Sequence, residues 1–352
     1  MANTPSPASP LPRPLLIRFG AMGDLVLIQP MIRLLSARFG QPVDLLAAGN
    51  WTRPLYHGQP GLGNILLLSN RKLPGWLNAQ RRQLLAELQQ YGPRPVWYCD
   101  FDERILPMLA HAGLTEDMLV RGKTLGMQPG EHLVDFSQRL ARQLPTAFAD
   151  LPLPAPLPPE DPTLQVTPEM MADLQRWLLR HGWENKLLIL VQAGNRRTMR
   201  TGLRRRVATN TKYWPEDNWA AIIRMLSRRH PRAHILLIGA PPEAGLNDEL
   251  LQRAGVANAA NVATELPIPR LLALQARAAG MISVDTGPAH TAAAVGCPLV
   301  VLFGIADPAE IRPRGNTTPI EVLQAHRDGK PDMAAIPVQA VTDAWERLPL
   351  RR

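Results

Sequence analysis

The chain has 352 residues, 45% of them hydrophobic, with 36 prolines, two cysteines and a formal net charge of +9. That length passes the roughly 250–300 residues at which a single core stops growing, so two domains are expected. Two cysteines exclude a disulfide framework, the lack of any run of ~20 apolar residues excludes a bilayer-spanning helix, and a 5% aromatic content with no basic–aromatic interleaving speaks against single-stranded nucleic-acid binding.

In chain order, residues 1–13 are Pro- and Ser-rich with no apolar h-region, and read as a disordered lead-in, not a signal peptide. Leu15–Phe19 reads as a strand and Gly20–Gly23 as a turn. Asp24 opens a helical pattern through Phe39, kinked at Pro30 or starting late with Pro30 in its first turn. Strands follow at Val43–Ala48 and Asn64–Leu68. The next helix, Trp76–Gln90, puts Trp76, Leu77, Leu84, Leu85 and Leu88 on its apolar side and exposes Arg81 and Arg82. Pro95–Cys99 is a strand, and Arg104–His111 and Glu131–Leu144 are helical.

Leu144–Pro168 carries a proline about every third residue and no period, the signature of a semi-rigid connection. Alternation then resumes. Glu169–His181 is a helix, Leu187–Gln192 a strand, Glu216–Arg229 a helix and His234–Gly239 a strand. Glu243–Ala254 and Ile268–Ala279 are helices. Met281–Val284 is a strand, Pro288–Val295 a helix and Leu299–Phe303 a strand, and Val338–Leu348 is a final helix that suits either domain. The expected division is 14–150, a linker at 151–168, 169–335, and a terminal helix in 336–352. Such alternation predicts two α/β domains with parallel sheets, facing across a cleft.

Four glycine-bearing junctions between strand and helix carry the candidate chemistry. Asp285-Thr286-Gly287 precedes a helix, where free N–H groups and the helix dipole make an anion site. Gly287 admits close approach, Thr286 offers a hydroxyl, and His290 lies one turn on. The plain alternative is an N-cap. Arg18-Phe-Gly-Ala-Met-Gly-Asp24 lacks the third glycine of a dinucleotide fingerprint and the G-K-[ST] of a P-loop. There Asp24 is either a capping carboxylate, stabilising by about 1 kcal/mol, or a general base for a hydroxyl proton. Gly194 ends a strand ahead of an Arg-rich run at 196–206, which is either a solvated loop or a flap over phosphates. Lys212 stands just before Pro215 and reaches an anion at the following helix. Glu243, past Gly239, either accepts from ribose hydroxyls or complements a helix dipole.

Taken together, three blocks resemble glycosyltransferase family 9, the ADP-heptose:lipopolysaccharide heptosyltransferases. They are Arg18-Phe-Gly-Ala-Met-Gly-Asp-Leu-Val-Leu-Ile-Gln-Pro30, Lys212-Tyr-Trp-Pro215, and Ser283-Val-Asp-Thr-Gly-Pro-Ala-His-Thr-Ala-Ala-Ala294 with Phe303-Gly-Ile-Ala-Asp-Pro308. The chain departs from the family pattern at Ile28 and in the longer, Arg-rich stretch between Gly194 and Lys212. The resemblance implies a GT-B fold of two Rossmann-like domains, the first binding the acceptor and the second the nucleotide-sugar donor. It implies a metal-independent, inverting transfer of heptose from ADP-heptose to a lipopolysaccharide-core or lipid-linked saccharide, with no cofactor. By position, Asp24 is the expected base. Gly194, Lys212, Asp285, Thr286, Gly287 and His290 are expected around the donor, Glu243 at its ribose, and Leu266 and Ile268 beside adenine.

The basic balance, a pI of about 10.2, fits anionic partners. With Arg71, Lys72, Arg81 and Arg82 it suits a cytoplasmic protein peripheral to the inner-membrane face, without nucleic acid. The alternatives are a GT-B transferase or epimerase using another nucleotide sugar and, from other classes, a nicotinamide-dependent oxidoreductase and a non-catalytic nucleotide-binding protein.

Overall fold

The short apolar runs of the sequence become strands buried on both faces, as parallel sheets require. In the computed structural model, residues 11–69, 79–195 and 210–351 are described. By their contacts they group as two units. One holds the described residues up to Ala21 together with Ile28–Glu160. The other holds Met22–Leu27 together with the chain from Asp161 on.

In the first unit, β1 (Leu15–Ile17), β2 (Val43–Ala47), β3 (Leu62–Leu67), β4 (Val96–Tyr98) and β5 (Leu119–Arg121) form a parallel sheet in the order β3-β2-β1-β4-β5. Ile17 stands level with both Leu46 and Tyr98. Asp44, fully buried in β2, is paired with Arg94 at 2.7 Å and accepts from the Asn64 amide at 2.7 Å, which offsets the cost of a charge in the core. The Asp24–Phe39 pattern is two helices, Met22–Leu27 and Gln29–Phe39; of the two readings left open, the late start with Pro30 in the first turn holds for the second of them. The break falls at Ile28, and Pro30 sits in the first turn of the second helix, where its missing N–H costs nothing. Gly40 ends that helix with φ 58°. Gly23 therefore lies inside a helix, not in a turn.

The second unit contains β6 (Leu187–Gln192), β7 (Ala233–Leu237), β8 (Ala259–Asn261), β9 (Gly280–Val284), β10 (Leu299–Phe303) and β11 (Ile320–Gln324), all parallel, in the order β11-β10-β9-β6-β7-β8. Helices Glu216–Arg229, Ala244–Ala254 and Val338–Arg347 cover one face, burying Trp219, Ile222, Leu250, Val341 and Trp345 against Ile189, Val191, Ile235 and Ile282. The terminal helix, left open by the sequence, thus packs on this unit. Pro168–His181, Ile268–Arg277 and Gly287–Ala294 pack in succession on one another.

Both orders reverse beside the first strand of the unit, between β1 and β4 and between β6 and β9. Open α/β sheets bind ligands at the carboxyl ends of strands flanking such a reversal. Edge strands β5, β8 and β11 were not anticipated. Their sequences, LVR, AAN and IEVLQ, are half-buried and lack the continuous apolar run of central strands. The helix expected over Trp76–Gln90 is described as Ala79–Tyr91, with Leu84 and Leu88 buried, Arg82 exposed and Arg81 half-buried. Arg71, Lys72, Trp76, Leu77 and the Arg-rich 196–206 run lie outside the described residues.

Candidate functional site

Strand β9 ends at Val284, and the Asp285 amide still donates to Leu302 O at 2.9 Å. Thr286 is extended (φ −147°), and Gly287–Ala294 is helical with Pro288 in its first turn. Thr286 does not act as a side-chain cap. Its Oγ1 turns back to donate to Val284 O at 3.3 Å. The first N–H groups of a helix have no partner within it, so the Gly287 end keeps its positive dipole without a capping oxygen from Thr286.

Lys212 reaches this same place. Its Nζ donates to Asp285 O at 2.7 Å and to Asp285 Oδ2 at 2.5 Å. His290 Nε2 lies 3.6 Å from the other carboxylate oxygen. Asp285 is 2% exposed. Burial pushes its carboxyl upward, but the hydrogen bond from His290 and the charge of Lys212 outweigh that and hold it below the usual carboxylate range. An ammonium has three N–H donors. Two are spent on Asp285, which aims the group and leaves one for an incoming anion. The Lys212 carbonyl accepts from Asn195 Nδ2 at 3.1 Å. Asn195 is 5% exposed. It was missed in the sequence, where its only signal is its place beside Gly194 at a strand end.

A second group forms at the ends of β6 and β7. Gln192, level with Ser283 of β9, donates to Gly194 O at 3.0 Å and to Glu243 Oε1 at 3.4 Å. Glu243 Oε2 accepts from the Ala240 amide at 2.6 Å. Burial raises the Glu243 carboxyl above its ordinary value, and the Ala240 and Gln192 donors only partly oppose this. Gly194 has no room for a side chain, since a Cβ there would lie 2.3 Å from Glu243 Oε1. Gln192, a polar residue closing an apolar strand, was also missed. The segment after β8 passes here, as a Cβ on Gly239 would be 3.5 Å from that of Ala263. Leu266 and Ile268 follow, both half-buried, at the start of Ile268–Arg277.

Asp24 is half-buried in the first turn of Met22–Leu27, two positions inside the helix, so it is not the N-cap. This short helix packs on Gly287–Ala294 through two glycines. A Cβ on Gly23 would lie 2.6 Å from His290 Cδ2, and one on Gly287 would lie 2.6 Å from Met22 Cε. Neither glycine has positive φ, so both are needed for space alone. Lys212, Asp285, Gly287 and His290 are therefore brought together with the helix of Asp24, while Gly194 and Glu243 form an adjoining group through Gln192.

In the first unit, the ends of β1 and β4 are joined by Phe19 N donating to Asp100 Oδ2 at 2.8 Å and Arg18 Nη1 donating to Cys99 O at 2.9 Å. Phe101, 45% exposed, stacks on Phe136 there with centroids 5.9 Å apart. Elsewhere on this unit a surface pocket of about 280 Å³ is lined by Arg81, Arg82, Leu85, Pro107, Met108 and His111.

Residues 202–334 match the model of the family described as glycosyltransferase family 9 (heptosyltransferase). Lipopolysaccharide heptosyltransferase 3 of Escherichia coli is 34% identical over 108 residues, which is 30% of this chain and 31% of that protein, so the match spans about a third of that relative. Among solved structures, ADP-heptose lps heptosyltransferase II of E. coli has a TM-score of 0.68 at 20% identity, covering 95% of this chain and 97% of that one. The family 9 glycosyl transferase of Veillonella parvula has a TM-score of 0.74 at 15% identity, covering 95% and 96%. An E. coli heptosyltransferase with ADP gives 0.67 at 18%, covering 95% and 99%. These structures share the fold, two parallel-sheet α/β units of the GT-B type. The family's own model lies across most of the second unit, and over those residues the likeness read from the sequence motifs holds: the chain is similar to glycosyltransferase family 9.

Proposed function

We propose that this protein is a glycosyltransferase that moves a heptose from ADP-heptose to a hydroxyl of the lipopolysaccharide inner core, with inversion and without a metal. The observation that carries the reading is the Lys212 ammonium fixed on Asp285 at the uncapped start of Gly287–Ala294, beside the helix that bears Asp24. When the bond between the anomeric carbon and the β-phosphate breaks, negative charge grows on the leaving ADP. A third Lys212 N–H and the Gly287 end of the helix meet that charge in an already oriented site, so little reorganisation is needed at the transition state. Asp24 takes the proton of the acceptor hydroxyl as its oxygen attacks the anomeric carbon from the face opposite ADP. Glu243 and Gly194 line the ribose end, and Leu266 and Ile268 the adenine. The first unit holds the acceptor.

ADP and a heptose come to this reading from the relatives' names together with the anion-binding geometry. The experiment that tests it is calorimetry with ADP, UDP, GDP and CDP, followed by product detection with ADP-heptose and a truncated lipopolysaccharide acceptor. Binding of UDP alone removes the donor assignment. Asp24→Asn is expected to abolish transfer while keeping ADP binding and folding, and near-normal turnover removes Asp24 as the base.

We also place the protein at the cytoplasmic face of the inner membrane as a peripheral protein. Among the described residues no helix is long and apolar enough to cross a membrane. The support for peripheral contact is the pocket lined by Arg81, Arg82 and His111 together with Leu85, Pro107 and Met108, a lining suited to a phosphate headgroup. Sedimentation with anionic and with neutral vesicles tests this, and equal recovery with both refutes it.

A further inference from the structure

Lys212 comes from residues 210–213, which form neither helix nor strand, so its aim on Asp285 depends on what holds that segment. Among the described residues two carriers stand out. Asn195 holds the Lys212 carbonyl, as described. The other is Gly304, just past β10. A Cβ on Gly304 would lie 1.7 Å from Thr211 O and 2.9 Å from Thr211 C, so the backbone ahead of Lys212 lies directly against this glycine. Its φ is not positive; the requirement is for space. The loop of Gly304 is itself gripped. Gln324, the last residue of β11 and level with Phe303, donates from Nε2 to Gly304 O at 2.7 Å and to Ala306 O at 3.0 Å. Both hydrogens of one amide are thus used to close the 304–306 loop.

We propose that Gln324 is a positioning residue for Lys212: by clamping Gly304 and Ala306 it fixes the surface on which Thr211 rests, and so sets where the ammonium meets a diphosphate. This rests on the reading of Lys212 as a phosphate ligand. Gln324 lies in an edge strand outside the motif blocks, and among the described residues its amide donates to Gly304 and Ala306, not to an expected donor residue. An amide with both hydrogens committed to loop carbonyls has one replacement of similar shape that cannot donate, methionine, and one that repels both carbonyls when ionised, glutamate.

The test uses the full chain and its variants Gln324→Met, Gln324→Glu, Lys212→Met and the Gln324→Met/Lys212→Met double, titrated with ADP and with AMP by calorimetry. Gln324→Met is expected to bind ADP about tenfold more weakly, with AMP affinity changed less than about twofold, since AMP lacks the phosphate Lys212 serves. Gln324→Glu loses more. In the double variant the Gln324 effect vanishes, because the group it positions is gone. A thermal melt of Gln324→Met close to that of the unaltered chain separates misplacement from unfolding. Unaltered ADP binding by Gln324→Met, equal losses for ADP and AMP, or losses that multiply in the double variant each overturn the proposal. Failure of the unaltered chain to bind ADP sinks the phosphate-ligand reading first and is seen before any variant is made.

Discussion

The ammonium of Lys212 is joined to both the backbone carbonyl and the carboxylate of Asp285, at 2.7 and 2.5 Å. The carboxylate is nearly sealed from water, its side chain 3% exposed against 28% for that of Lys212. The lysine neutralises a buried charge, and in the proposed reading it also offers an N–H to the ligand.

The two jobs separate by mutation. Lys212→Met leaves Asp285 buried with His290 as its one remaining side-chain partner among the described residues, and is expected to cost about 2–3 kcal/mol, less than a fully buried pair because the lysine is partly wet. Adding Asp285→Asn removes the stranded charge and restores most of that stability. ADP affinity falls in Lys212→Met and does not return in the double variant. Denaturant unfolding and calorimetry read the two effects independently, and recovery of ADP binding in the double variant refutes the ligand role.

Gly23 and His290 make the next case. A methyl at Gly23 would sit 2.6 Å from the imidazole Cδ2, far inside van der Waals contact, and His290 is buried. Gly23→Ala is expected to destabilise by about 1–3 kcal/mol and to weaken donor binding, because the displaced ring is the one that supports Asp285. Gly287→Ala meets the flexible end of Met22 as well as its Cβ. Combining it with Met22→Ala is expected to recover part of the loss, and thermal melts of the single and double variants measure this.

Glu243 carries a pH signature. Its folded-state carboxyl is raised above the ordinary 4.5 by burial. A raised acid prefers its proton in the folded state. The buried carboxylate therefore costs stability once pH rises above the unfolded value, and the cost is complete above the folded one. Glu243→Gln keeps an acceptor for the Ala240 amide, and its new NH2 takes the place of Oε1 opposite Gln192 Nε2, so the Gln192 amide turns over, giving up Gly194 O, and its Oε1, buried without a partner among the described residues, accepts from that NH2. The variant is expected to melt higher than the parent at pH 7 and to lose that advantage near pH 4. Its ADP affinity is expected to fall, since an amide is a poorer acceptor for ribose hydroxyls than a carboxylate. A flat difference in melting temperature from pH 4 to pH 7 contradicts the assignment.

These cases also show what the sequence could reveal. Met281–Val284 and Leu299–Phe303 are central strands with uninterrupted apolar runs, and Pro288 and Gly296 bracket the helix between them, so this βαβ unit was legible to within a residue. Lys212, Asp285 and His290 were each named from motif spacing, and the structure brings them into one cluster. The partners were not legible. Asn195, Gln192 and Gln324 make their contacts between segments distant in the chain, and a glutamine closing a strand has no local signal; Gly304 stood in a motif block, but nothing local showed that Thr211 lies against it. The division of the Asp24–Phe39 pattern was half visible, since Pro30 marked the start of the second helix but nothing local marked Ile28 as the end of the first. Gly23 and Gly287 were read as freedom for a turn and for a ligand. The structure uses both to let two helices touch.

His230 links pH to the docking of the last helix. Its Nε2 lies 3.1 Å from Trp345 Nε1, and since indole nitrogen only donates, the imidazole must accept there and be neutral. Burial, with help from the Arg229 charge, holds His230 below its ordinary 6.5. A depressed histidine contributes stability that is present in full above the unfolded value and is lost as pH falls through the folded value, because the unfolded chain takes up the proton first. Trp345 is buried in the core of the second unit, so loosening of Val338–Arg347 exposes an indole. Stability and tryptophan emission are therefore expected to change together below about pH 6.5. His234 is also depressed, by burial and then by the Lys186 and His181 charges, and it contributes to the same slope. His230→Gln, which keeps an acceptor for Trp345 and cannot titrate, removes its share of the slope, and His234→Gln leaves the Trp345 response in place. If acid unfolding of His230→Gln follows the parent point for point, the Trp345 contact is not what the proton breaks.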